Sequence, residues 1–207
     1  MLTLYDFLPS GNGYKVRLLL TQLRIPFRRV EIDVTKGESR TPEFLRKFPN
    51  GRIPAVEFDD GRRLFESNAI ICYLAEGTPL MPAHPFERAR MLQWLFFEQY
   101  SHEPYIAVAR FLAMYPEVAD ERRARLARIM KLGYDALGVT EGHLRGDDSK
   151  PREWFVGGRY TIADIALYAY THVAHEGGFD LAGFPCVRAW LDRVRAQPRH
   201  IPITQRF

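Results

Sequence analysis

The hydrophobic period of this chain changes twice within its first 34 residues. Leu2-Thr-Leu-Tyr-Asp6 alternates apolar and polar side chains, the two-residue period of a strand. Pro9-Ser-Gly-Asn-Gly13 is turn chemistry. Val16, Leu19, Leu20 and Leu23 then fall at i, i+3, i+4 and i+7, one face of a helix that Pro26 stops. Val30, Ile32 and Val34 return to alternation. A strand, a helix and a strand in that order demand a parallel pair with a right-handed crossover.

The next 45 residues extend this unit. Thr41 suits a helix N-cap, with Pro42 at the first helical position. Ile53-Pro-Ala-Val-Glu-Phe58 reads as a strand, Asp60-Gly61 as a two-residue hairpin turn and Arg62–Phe65 as the returning strand. Glu66-Ser-Asn68 opens a buried helix, Ala69–Ala75, that Gly77 can end. The remainder has no convincing strand. Phe86–Tyr115 is a long helical pattern bent at Pro104, Val118–Leu144 continues it, and Asp147–Lys150 is a polar loop. Thr161-Ile-Ala-Asp164 resembles a capping box before Ile165–Val173, and Phe184–Ala196 is a last helix closed by Pro198. The fold class is therefore α/β followed by all-α. A thioredoxin-like β-α-β-α-β-β-α domain over 1–78 and a linker over 79–85 precede a helical bundle over 86–207.

Composition agrees with two small domains. The 207 residues are 46% hydrophobic and 26% charged, enough to bury a core and too apolar for disorder. The net charge of +4 divides evenly, since the first 80 residues hold 12 basic and 10 acidic side chains and the rest 17 and 15. There is thus no basic tail or ordered basic and aromatic array for nucleic acid. The longest apolar run, Ala69–Ala75, is far short of the roughly 20 residues that cross a membrane. Met1–Asp6 has no basic stretch before its apolar residues, so no signal peptide is expected. Cys72 and Cys186 make no disulfide framework, which points to a reducing cytoplasm. The six histidines show no metal-ligand spacing, and no metal is expected.

The turn after the first strand bounds the chemistry. A thioredoxin-like unit usually carries redox cysteines there, and Ser10-Gly-Asn-Gly13 carries no sulfur. A helix N-terminus presents N–H groups and a partial positive charge that favour an anion, a thiolate included. Ser10 adds a hydroxyl donor and Asn12 an amide donor. The pair either caps and turns the chain or hydrogen-bonds a thiolate supplied by a ligand. Lowering a thiol pKa by about two units takes about 2.7 kcal/mol, within reach of two charge-assisted hydrogen bonds and a helix dipole. Ile53-Pro54 is either an ordinary trans strand start or a cis bond that turns the Ile53 backbone toward an extended peptide. Glu66-Ser67 is either a cap beside a solvated acid or a holder for an amino-acid head group.

Four segments in order carry a resemblance. Leu4-Tyr-Asp-Phe-Leu-Pro-Ser10-Gly-Asn12-Gly-Tyr-Lys15-Val-Arg17, Pro49-Asn-Gly-Arg52-Ile53-Pro54-Ala-Val, Phe65-Glu66-Ser67-Asn68-Ala-Ile-Ile-Cys-Tyr-Leu-Ala75 and Thr161-Ile-Ala-Asp164-Ile-Ala resemble a cytosolic glutathione transferase over essentially the whole chain. The turn is most similar to the bacterial Nu-class type, with Gly11 in place of the usual proline. The resemblance implies glutathione as cosubstrate, a homodimer and a small electrophilic or disulfide second substrate, with disulfide reduction slightly favoured over conjugation. It implies that Ser10 and Asn12 contact the glutathione sulfur, with Tyr5 as the alternative. Ile53 would pair with the cysteinyl part, with Pro54 cis. Glu66 and Ser67 would hold the γ-glutamyl end, and Arg52 and Lys36 would approach the glycine carboxylate. Tyr100, His102, Tyr105, Ile106 and Arg110 would line the second-substrate pocket. The alternative function is a non-catalytic binding or regulatory module on the same fold, which predicts an eroded glutathione site.

Overall fold

The computed structural model describes residues 1–117, 121–147 and 150–207, in two compact units. The first holds residues 1–78 together with 198–207, and the second holds 79–197. Residues 198–207, expected in the helical part, thus belong with the first unit. The physical reason is a buried arginine: Arg17 donates to the carbonyls of Ile203 at 3.1 Å and Gln205 at 3.5 Å.

In the first unit β1 (Leu2–Asp6) lies between β2 (Phe27–Glu31), parallel to it, and β3 (Ala55–Glu57), antiparallel to it. β4 (Arg63–Phe65) adds antiparallel to β3, giving the order β2-β1-β3-β4. Strand β2 begins three residues earlier than the alternation Val30, Ile32, Val34 suggests. Val34 instead opens a short 3-10 turn, Val34–Lys36, capped by the Asp33 carboxylate. A local cap thus outweighs a period-two pattern there. Helix α1 (Gly11–Gln22) packs against α3 (Ser67–Ala75). Helix α2 (Pro42–Lys47) is capped by Thr41, and its Phe44 and Phe48 pack with Ala55 and Tyr5. Side chains alternate along β1, so Leu2, Leu4 and Asp6 point one way and Thr3 and Tyr5 the other.

The second unit is helical, with only a one-residue bridge, Val156 to Arg159, among its described residues. The long pattern from Phe86 is two helices, α4 (Pro85–Phe97) and α5 (Glu103–Met114), separated by a π-helical turn over Glu98–His102. The break precedes Pro104, where a bend was expected. Of the helix expected from Val118, residues 118–120 lie outside the described residues. A 3-10 turn, Glu121–Arg125, leads into α6 (Leu126–Arg145). The polar loop over Asp147–Lys150 likewise includes 148 and 149, outside the described residues. Helices α7 (Ile162–Thr171) and α8 (Pro185–Arg195) complete the unit. One core cluster joins Ile106, Ala109 and Leu112 of α5 to Ile129 and Leu137 of α6 and to Phe179.

His143 of α6 makes this unit sensitive to acid. Its ring stacks on Phe155 at 5.3 Å and lies 4.6 Å from Trp94. Burial pushes its pKa down to about 4, helped by Arg152 and Arg90. Between the ordinary value of 6.5 and 4 the unfolded chain therefore binds more protons than the native one. Stability contributed by the neutral ring falls as pH drops through that window. Asp164, pushed up to about 6 by burial, works in the opposite direction because its native form takes the proton more readily. Comparing wild type with His143→Phe isolates the histidine. The variant's urea midpoint should fall less steeply between pH 6.5 and 4, and equal slopes would remove His143 from the account.

Candidate functional site

Two helix N-termini of the first unit meet through their side chains. Ser10 precedes α1 in extended backbone and caps it, its Oγ accepting from the Gly13 N–H at 3.2 Å. A hydroxyl has two acceptor positions and one donor, so capping leaves its O–H proton available for a ligand. The Ser10 N–H donates to the Phe7 carbonyl at 2.8 Å, which closes the turn. Asn12, two residues into the helix, receives the Ser67 hydroxyl proton on Oδ1 at 3.1 Å. That bond orients the amide, carbonyl toward Ser67 and Nδ2 away from it.

Ser67 is the first residue of α3 and is buried. Glu66 before it has φ 68° and ψ 111°, a left-handed conformation rare for a residue with a Cβ. Such strain persists where surrounding structure enforces it, and it gathers at ligand sites. The Glu66 carboxylate accepts from Asn50 Nδ2 at 3.4 Å. Lys15, fully buried on α1, donates to Ser67 Oγ at 3.3 Å and Asn68 Oδ1 at 3.2 Å. A sequence reading passes over Lys15 as a site residue, although it lies three residues after Asn12 and so on the same face of α1. Two N-termini, each carrying partial positive charge, with an ammonium beside the second, suit a ligand with more than one anionic group.

The remaining residues singled out from the sequence fall as follows. The Ile53–Pro54 bond is cis, just before β3. Among the described residues no main-chain hydrogen bond is made by Ile53, which leaves its peptide groups for a ligand strand. Arg52 is exposed beside it. Lys36 is exposed and ion-paired to Asp33 at 3.0 Å. Tyr5 has another occupation. Its hydroxyl donates to Glu57 Oε2 at 2.8 Å and accepts from Lys47 Nζ at 3.0 Å, and its ring packs on Phe48 at 5.3 Å. The Tyr5 bond, with that of Arg63 next, holds the Glu57 carboxyl down at about 2. Tyr5 therefore points to the α2 face of the sheet, whereas Asp6, the next residue, meets Gly13 of α1.

In the second unit, Tyr100 is 83% exposed. Tyr105 lines a 280 Å³ cleft together with Pro104, Val108, Ile129, Leu132 and the arginines Arg122, Arg125 and Arg128. Ile106 is buried in the core cluster instead of on a pocket wall. His102 is buried with Nε2 2.9 Å from Thr171 Oγ1, and Arg110 pairs with Glu176 at 2.7 Å. The helical period that groups these five residues by spacing turns three of them inward. Among the described residues no group of three His, Cys, Asp or Glu side chains is placed to hold a metal ion. No helix is long and apolar enough to cross a membrane among them.

Comparison with known proteins places this geometry. The family model "Glutathione S-transferase, N-terminal domain" matches residues 1–76 and "Glutathione S-transferase, C-terminal domain" matches 105–198. The chain is 34% identical over 206 residues to the Escherichia coli (strain K12) protein named disulfide-bond oxidoreductase YfcG, covering 96% of this chain and 92% of that one. It is similar to the crystal structure of a glutathione S-transferase from Pseudomonas fluorescens [Pf-5], with a TM-score of 0.93, 48% identity and 99% of each chain covered. It is also similar to Ure2p in complex with glutathione, with a TM-score of 0.84, 27% identity and 96% and 95% of the two chains covered.

Proposed function

The chain belongs to the glutathione S-transferase family, and we propose that it binds glutathione across the N-termini of α1 and α3 and holds its sulfur as a thiolate beside Ser10 and Asn12. The observation that carries this is the Ser10 cap joined through Asn12 to Ser67. It offers a hydroxyl and an amide donor at one helix end and an anion site at the other. The Ser10 O–H and an Asn12 N–H donate to the sulfur, and the α1 dipole adds a favourable field. Ser67, with Lys15 behind it, takes the γ-glutamyl carboxylate, and Glu66 takes the ammonium. The Ile53 backbone pairs with the cysteinyl part. Arg52 is the nearer cation in sequence for the glycine carboxylate, since Lys36 is engaged by Asp33.

The reaction class we favour is disulfide reduction. The bound thiolate attacks one sulfur of a disulfide, a new S–S bond forms, and the other sulfur leaves as a thiolate that takes a proton from water. The product is a mixed disulfide of glutathione and substrate. One feature supports this over conjugation to a neutral electrophile: the name of the Escherichia coli relative. We extend the proposal to a homodimer. Leu92, Phe96 and Tyr100 are large, exposed and spaced by four residues, and an apolar stripe of that kind marks a partner surface.

The test is the thiolate absorbance of bound glutathione across roughly pH 5–9 in wild type, Ser10→Ala and Asn12→Ala. Wild type should lower the thiol pKa below that of the free peptide, and Ser10→Ala should raise it again by about one to two units. Binding with an unshifted thiol would end the Ser10 and Asn12 mechanism. Absence of binding would favour the non-catalytic module on the same fold.

A further inference from the structure

The far end of the chain and the turn that carries Ser10 share one side chain. Arg17 lies on α1, seven residues after Ser10, and is fully buried. Its guanidinium is planar, with five N–H donors in fixed directions. Nη2 donates to the Leu8 carbonyl at 2.7 Å, two residues before Ser10. Nη1 donates to the carbonyl of Ile203 at 3.1 Å and reaches that of Gln205 at 3.5 Å. Nε lies 3.1 Å from Asp6 Oδ2 at the end of β1.

Leu8 is held at both of its main-chain groups, because its N–H donates to Glu31 Oε1 at 3.0 Å. Pro9 follows with a ring-fixed φ, and Ser10 bonds back to Phe7. The Leu8 carbonyl is therefore one of the few points that set where Ser10 stands. The C-terminal segment is fastened to α1 at further places. The Tyr14 hydroxyl donates to the Ile201 carbonyl at 2.7 Å, and Arg199 Nε donates to the Gln22 carbonyl at 2.9 Å. Phe207 packs on Phe27 at 4.9 Å.

We propose that Arg17 is a positioning residue for the Ser10 turn and that residues 199–207 clamp it, so that thiolate stabilisation depends on the C-terminal end of the chain. Withdrawing the segment takes away two carbonyl acceptors and opens the guanidinium to water. The group can then shift while its Nε stays at Asp6, and release the Leu8 carbonyl. A small displacement of the Ser10 hydroxyl weakens its bond to sulfur while the α3 end of the site is untouched. The proposal rests on the thiolate reading above for its functional half.

The test compares the intact chain with a truncation after Pro202, with Arg17→Lys and with both together. Amide exchange at Ser10 and Gly13 is read alongside the bound-thiol titration and glutathione affinity. Each single change should speed exchange at the turn about tenfold, leave Val56 in β3 protected, and raise the bound-thiol pKa with affinity changed less than about threefold. The double variant should be no worse than Arg17→Lys alone. Unchanged exchange at the turn, loss of protection throughout the unit, or simple addition of the two effects overturns the proposal. A truncation after Thr204, which removes the Gln205 contact and Phe207, replaces the longer one where that does not fold. Ser10→Ala run in parallel separates the two readings: a bound-thiol pKa no higher there than in wild type ends the thiolate mechanism, while exchange at the turn still decides the clamp.

Discussion

Replacing Gly13 with alanine should cost the first unit at least about 3 kcal/mol, a large share of the roughly 5–15 kcal/mol that holds a domain folded. A Cβ built at Gly13 lies 1.5 Å from Asp6 Oδ1 and 2.5 Å from its Cγ, so one of the two residues must move. Asp6 has nowhere to go. It is fully buried, and the guanidinium Nε atoms of Arg17 and Arg29 each lie 3.1 Å from its Oδ2. Burial raises the pKa of the Asp6 carboxyl and lowers that of Arg17, while each charge pulls the other back. Pushing the carboxylate off its partners leaves buried charge uncompensated, the costly case. The measurement is urea unfolding followed by near-ultraviolet circular dichroism. Gly138→Ala is the control with the opposite sign. It stands exposed in α6 with nothing within 4 Å of a built Cβ, so alanine should gain about 0.5–1 kcal/mol from helix propensity. A Gly13→Ala protein within about 1 kcal/mol of wild type would show that Asp6 can leave its arginines cheaply.

The second large effect is expected at Asp164, in the other unit. Its fully buried carboxylate accepts four hydrogen bonds: Thr161 N–H at 2.8 Å, Thr161 Oγ1 at 3.1 Å, Phe155 N–H at 3.3 Å and Trp190 Nε1 at 3.0 Å. It thus caps α7, holds the chain before that helix and anchors the α8 indole. Asp164→Ala leaves these donors buried without an acceptor, for a loss of about 3–5 kcal/mol. Burial pushes the carboxyl up to about 6 against the four donors that favour its charged form. Asp164→Asn, which keeps one acceptor oxygen, should therefore lose less than alanine. The readout is Trp fluorescence during denaturation, and equal losses for Asn and Ala would mean that both carboxylate oxygens are needed and that one acceptor of the same shape gives no rescue.

The residues proposed for the glutathione site were legible where a role is written into local backbone. Ser10 lies at a helix start because a small hydroxyl residue before a glycine-rich turn can cap it, and Ser67 begins α3. The residues expected to line a second-substrate pocket were not legible in the same way. Spacing alone grouped Tyr100 through Arg110, but a helix carries both a buried and an open face. Only packing against α6 and Phe179 decides that Ile106 is core while Tyr105 borders a cleft. Tyr5 shows the same limit in a strand: its position near the turn is read from sequence, but the face it occupies depends on which partner strand sets the register.

By itself the sequence determined the element order, the caps at Ser10, Thr41 and Thr161, and the absence of sulfur from the first turn. These follow from periodicity and from hydrogen bonds between residues a few positions apart. Tertiary structure alone decided the long-range partners. Lys15 reaches Ser67, 52 positions away, because α1 packs on α3 and carries its ammonium there. Helix α8 has no side-chain cap from its own sequence, and Glu141 of α6 accepts the N–H groups of Cys186 and Val187 at 3.2 and 2.9 Å instead. The last ten residues join the first unit because Arg17, once buried, needs acceptors that its neighbours in sequence do not supply. A buried polar group takes its partner wherever folding brings one within reach, and local sequence carries no record of that choice.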